Sequence, residues 1–166
     1  MSSWLCSQRK GSTVMLSNPK GSFNTDIFTK NITEVYLFAA GTGITPMLSV
    51  VDWLLKSPSV LKIRLLYFNK TRKDIILEDK LDQLASEESR FYVEHILSEP
   101  SSEWSGRRGH VSLDLLLNIL PKHADDIPRS DFVCICGPRP FTALVEKMLK
   151  EHLEYTSENY YSFSGQ

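Results

Sequence analysis

Long apolar runs are missing from these 166 residues. The richest stretch, 111–120, is short and broken by polar side chains, so the pattern holds no transmembrane segment. Excess charge of either sign is missing too. Nineteen Lys and Arg stand against 20 Asp and Glu, a net charge of -1 with a pI near 6.4. A nucleic-acid or polybasic membrane partner would require a surplus of Lys and Arg, so neither is expected. Cysteine is scarce. Of the three, Cys134 and Cys136 are read as facing opposite sides of an apparent strand and unable to pair, and Cys6 lies apart. Reduced thiols in a cytosolic setting follow, and the sequons at Asn31 and Asn69 then carry no weight. His95, His110, His123 and His152 are scattered, leaving no ligand spacing for a metal. The amino terminus lacks the basic-then-apolar order of a signal peptide, and there is no internal repeat.

What is present is an alternation of short β-rich runs with helical patterns from residue 35 onward. Runs at 35–40, 61–68, 91–97, 132–136 and 160–163 read as five strands. Between them lie apolar patterns of helical spacing: 47–55, then Ile75, Leu77, Leu81, Leu84 and Ala85, then Leu113–Leu120 behind a Ser112 cap, then 141–153. Strands apolar on both faces and separated by helices predict a doubly wound, mostly parallel five-stranded α/β sheet covered on both sides. Residues 1–30 differ, with a strand predicted at 11–17 and a turn at 18–21. They are expected to form the tail of an upstream antiparallel β-barrel, with residues 31–166 forming the domain proper.

Chemistry concentrates at two strand ends. In Ala39-Ala40-Gly41-Thr42-Gly43-Ile44-Thr45-Pro46-Met47 a strand runs into a glycine turn, and Pro46 is placed at the first helical position. The free N–H groups there, with the hydroxyls of Thr42 and Thr45, suit a phosphate. A tight turn with Thr45 as N-cap accounts for the same residues. The third glycine of the dinucleotide fingerprint and the Walker lysine are both absent. In Val133-Cys134-Ile135-Cys136-Gly137-Pro138 a second strand ends in a turn that opens a helix. Ligands of open α/β sheets bind beyond the carboxyl ends of strands, so the two turns can line one crevice. Cys136 would then sit in it, or serve only as a small core residue. The aromatic terminus Tyr160-Tyr161-Ser162-Phe163 is a core or edge strand unless a planar cofactor lies beside it.

Together these residues resemble the NADH-cytochrome b5 reductase group of the ferredoxin-reductase-like flavoenzymes, and particularly its form fused to a cytochrome b5 domain. Gly41-Thr42-Gly43-Ile44-Thr45-Pro46 matches the group's nucleotide-phosphate loop, and Cys136-Gly137-Pro138 its motif near the nicotinamide. Phe68-Asn69-Lys70-Thr71 with Asp74 matches the stretch beside the adenosine, and Phe163 the aromatic residue near the flavin ring. Met1-Ser2-Ser3-Trp4-Leu5 matches the end of the flavin-phosphate motif, and the earlier flavin motifs do not occur. The resemblance implies an oxidoreductase that takes a hydride from NADH or NADPH onto FAD and passes electrons to a b-type haem. Its partners would be an FAD domain and a cytochrome b5-type haem domain. Its location would be cytoplasmic, with the endoplasmic reticulum surface as one candidate. The 166 residues alone are expected to retain little FAD. One departure bears on nucleotide choice. NADH-selective members carry an Asp after the third strand of this domain, and here the position is Ser98, followed by Glu99.

Overall fold

The computed structural model describes residues 4, 6–15, 23–29, 31–122 and 128–163. Six strands form one parallel sheet: β1 Glu34–Ala40, β2 Lys62–Asn69, β3 Phe91–Leu97, β4 Arg107–Arg108, β5 Asp131–Cys136 and β6 Tyr160–Ser162. Their spatial order is β4-β3-β2-β1-β5-β6. The chain steps outward from β1 to β4, then returns to the other side of β1 and steps outward again. β4 is the strand beyond the expected five. Two exposed arginines give no period to read, and only its pairing with Ile96 and Leu97 defines it.

Four helices cover the sheet: α1 Ile44–Lys56, α2 Glu78–Glu87, α3 Leu113–Ile119 and α4 Arg139–His152. In α1, Ile44, Met47, Val50, Val51 and Leu54 make one apolar stripe that packs on Val35, Leu37 and Ala39 of β1. On the opposite face, Val145, Met148 and Leu149 of α4 pack with Tyr36, Phe38 and Ala40. Consecutive residues of β1 thus feed two cores, as a strand's alternation requires. The same alternation corrects the reading of the cysteines. Residues two apart share a face, so Cys134 and Cys136 both lie on the α1 side with Phe132, while Val133 and Ile135 face α4. Both remain free thiols.

Three local expectations shift. Ile75 and Leu77 precede α2 instead of opening it, because Leu77 takes a left-handed φ of 61° and the helix starts at Glu78. Ser112 caps α3 as expected, its hydroxyl accepting from the Leu115 N–H at 3.3 Å. Residues 12–15 form no strand; 16 and 17, and the turn at 18–21, lie outside the described residues. Phe28, within the stretch 1–30 expected to belong to the upstream barrel, is buried among Trp53 and Phe132, with ring centroids 5.5 and 5.3 Å away.

A buried polar cluster closes the amino end of the sheet. Asp131 accepts from the Tyr155 hydroxyl and from Arg129 at 3.4 Å, and the Arg129 guanidinium lies 3.9 Å from the centre of the Tyr155 ring. Nearby, the Tyr36 hydroxyl donates to Glu34 at 2.6 Å. Burial first, then the neighbouring carboxylate, raises both tyrosine hydroxyls far above the ordinary range. In the unfolded chain they would ionise near pH 10. A group whose folded pKa is raised contributes stability that is complete below the unfolded value and lost as pH rises beyond it. The melting temperature should therefore hold up to about pH 10 and fall steeply above it, and Tyr155→Phe should flatten that fall. Melting curves from pH 8 to 11.5 would reveal a wild type and variant of identical slope if the cluster is not responsible.

Candidate functional site

β1 and β5 are adjacent and parallel, and the chain leaves their carboxyl ends in opposite directions, to α1 on one face and α4 on the other. That divergence opens a crevice at the switch point of the sheet. Gly41–Gly43 form a single 3-10 turn between β1 and α1. Gly41 has φ +54°, and a Cβ built there would meet nothing within 4 Å. The turn is therefore open in front, as a cradle for a ligand must be.

Gly43 is different. Its φ is −61°, so positive φ is not the reason for a glycine here. A Cβ at Gly43 would stand 2.2 Å from the Cys136 carbonyl oxygen and 2.8 Å from the Gly137 nitrogen. At Gly137 a Cβ would stand 2.8 Å from the Ala40 Cβ. The two glycine turns abut back to back, and each glycine is needed by the other turn. Pro46 occupies the third position of α1, not the first, since the helix begins at Ile44. The Thr45 hydroxyl donates to the Thr42 carbonyl at 2.9 Å. It stiffens the turn from within, and in this arrangement its proton is not available to a phosphate.

Beyond the strand ends lies a groove of about 570 Å³ that Gly41, Asn69, Asp74, Ser98 and Pro138 line together. These five were drawn from four separate stretches of sequence, and the parallel sheet brings them to one place. Asn69 ends β2, and its carboxamide is buried beside the Tyr67 hydroxyl. Ser98 follows β3, with its N–H on the Asn69 carbonyl at 3.0 Å. Glu99 is exposed and reaches Lys70 at 3.6 Å, outside the groove lining.

Of the other predicted residues, Thr42, Thr45, Thr71, Cys136 and Phe163 do not line this groove. Asp74 accepts from both the N–H and the hydroxyl of Thr71, at 2.9 and 2.7 Å, which fixes the turn after β2 and lowers the Asp74 pKa. Thr42 is exposed on the loop. Cys136 and Phe163 meet at neighbouring strand ends, where the thiol donates to the Phe163 carbonyl at 3.5 Å, and burial raises the thiol's pKa. The Phe163 ring packs on Phe23 and Tyr161, with centroids 4.8 and 4.9 Å apart. Met1 and Ser2 lie outside the described residues.

Sequence reasoning missed Val111, Phe141 and Leu144, which join Phe68 in an apolar wall, and His110, which adds polar atoms beside Lys70 at the rim. His110 arrives because Gly109, at φ +116°, bonds back to the Leu97 carbonyl at 2.8 Å. A glycine followed by His carries no such signal in one dimension. An apolar wall and an open glycine turn at a helix N-terminus together fit an adenine nucleotide bearing phosphates.

The comparisons with known proteins agree. Residues 37–147 match the family model for the oxidoreductase NAD-binding domain. The chain is 41% identical over 156 residues to bovine (Bos taurus) cytochrome b5 reductase 4, covering 93% of this chain and 29% of that protein. It is 32% identical to NADH-cytochrome b5 reductase 1 of Pyricularia oryzae, over 89% of this chain and 47% of that one. Among solved structures, the CS-b5R domains of human Ncb5or in the NAD+ form superpose with a TM-score of 0.89 at 38% identity, over 98% of this chain and 45% of that one. The cytochrome b5 reductase domain of Ulva prolifera nitrate reductase gives 0.68 at 28% identity, over 80% and 50%. The chain thus spans less than half the length of these curated relatives. Among the described residues, no helix is long and apolar enough to cross a membrane.

Proposed function

The chain belongs to the oxidoreductase NAD-binding domain family, and from that premise we propose that it is the nicotinamide-nucleotide-binding part of a cytochrome b5 reductase-type flavoenzyme. One observation carries the reading: the open Gly41 turn, Ser98 and Pro138 line one groove with the apolar wall of Phe68, Phe141 and Leu144. In this proposal the pyrophosphate lies against the Gly41–Gly43 turn, at the positive end of α1. The adenosine rests on Phe141 and Leu144, with Asn69 and Ser98 supplying hydrogen bonds to it. The nicotinamide extends toward Cys136. Phe163 would stand beside the ring of an FAD held by the complete protein, and that group would supply hydride acceptance and single-electron release toward a b-type haem. The residues of this chain bind and orient; none is assigned a proton transfer, since hydride transfer depends on positioning. A cytoplasmic location fits the free thiols of Cys6, Cys134 and Cys136.

Nucleotide choice tests the placement of the ribose. The Ser98 hydroxyl can donate to a ribose oxygen or to a 2′-phosphate, whereas a carboxylate could only accept and would repel the phosphate. NADH and NADPH should bind within about tenfold of each other, roughly 1.4 kcal/mol. Ser98→Asp should weaken NADPH selectively and leave NADH nearly unchanged. Paired titrations of both proteins with both nucleotides decide it: equal losses would make Ser98 a packing residue and move the ribose elsewhere.

A further inference from the structure

Tyr67 sits on β2, fully buried within the core on the α1 side, beside Ala39 of β1. A phenylalanine would fill that volume as well, and a hydroxyl among apolar side chains is costly unless it is satisfied. It is satisfied, with the Asn69 side chain beside it and two backbone partners. The hydroxyl donates to the Gly41 carbonyl at 3.0 Å and accepts from the Ile76 N–H at 3.3 Å. Those partners belong to two different walls of the groove: Gly41 to the turn after β1, and Ile76 to the segment that carries Asp74.

Building on the proposed nucleotide site, we infer that the Tyr67 hydroxyl is a positioning strut for the pyrophosphate. In a trans peptide the carbonyl and the following N–H point in opposite directions. The Gly41 carbonyl is held toward the buried hydroxyl, so the Thr42 N–H of the same peptide is aimed away from the core, into the space in front of the turn. Gly41 can hold that orientation because its φ of +54° costs a glycine little. By gripping Ile76 as well, the hydroxyl fixes the turn relative to the adenosine side. Tyr67 touches no ligand itself. It acts through Gly41 and Thr42.

The test uses the 166-residue chain and calorimetric or NMR titration with ADP-ribose and with adenosine. Tyr67→Phe should raise the ADP-ribose dissociation constant at least about fivefold and change the adenosine constant less than about twofold. An unchanged ADP-ribose affinity in the folded variant overturns the strut, as do equal losses for both ligands, which would mean a general disturbance of the groove. Wild-type protein that binds neither ligand overturns the nucleotide site itself, and the strut with it. Should the variant not fold, the wild type still decides the matter. The Thr42 amide resonance must shift on adding ADP-ribose and stay in place with adenosine, and a Thr42 amide indifferent to ADP-ribose overturns the proposal.

Discussion

Gly43→Ala should cost this domain about 3 kcal/mol or more and lower nucleotide affinity at least about tenfold. One methyl group is enough. The atoms it meets, the Cys136 carbonyl carbon at 2.5 Å and its oxygen at 2.2 Å, are backbone, not the end of a flexible side chain. They cannot swing aside, so either the Gly41–Gly43 turn or the Cys136–Gly137 turn must move. Both are anchored. The first is tied to Tyr67, and the second continues a strand paired with β1 at Ala39↔Cys136. A moved turn also changes the crevice, because Gly41 and Pro138 both line the groove. Melting temperature and NADH titration measure the two effects together. Gly41→Ala is the control, since a Cβ there meets nothing: its cost should come only from the strain of a left-handed alanine, roughly 1–2 kcal/mol. A Gly43→Ala protein with wild-type stability and affinity would show that the two turns are not locked together.

Asp131→Ala should be the most damaging substitution away from the groove, at about 3–5 kcal/mol. Arg129 and Asp131 are each only 5% exposed as side chains, and the Arg129 Nε already lacks a partner. Removing the carboxylate leaves a buried guanidinium with the Leu153 carbonyl and the Tyr155 ring as its remaining neighbours, and strands the Tyr155 hydroxyl. For a domain of this size that loss corresponds to a fall in melting temperature of about 10 °C. The cluster lies at the amino end of β5, opposite the groove, so the affinity of the folded variant for NADH should not change. Arg129→Met combined with Asp131→Ala should recover part of the loss, because the unpaired charge is gone. If the double variant is as unstable as the sum of the single ones, the pair is not coupled and the penalty has another source.

Much of the architecture could be read along the chain because it follows from local periodicity. The run Val35-Tyr-Leu-Phe-Ala-Ala40, apolar at every position, fits only a strand covered on both faces, and it is central in the sheet. The helices behind Ile44 and Arg139 were visible for the same reason, as were the two glycine turns where strand becomes helix. What each glycine does was not visible. Gly41 and Gly43 are two residues apart, yet one faces open space with positive φ and the other is pressed against a backbone 93 positions later in sequence. The same limit applies to β4, to His110 and to the buried tyrosines. A one-dimensional pattern reports how a residue relates to its own helix or strand, so it set the fold class, the order of elements and the two loops bearing the chemistry. Which distant groups share a hydrogen bond or a groove depends on how strands are ordered across the sheet, and that order is decided by packing between elements. Only the tertiary structure could therefore place Tyr67 under Gly41, bring His110 to the groove, and put Cys134 and Cys136 on one face.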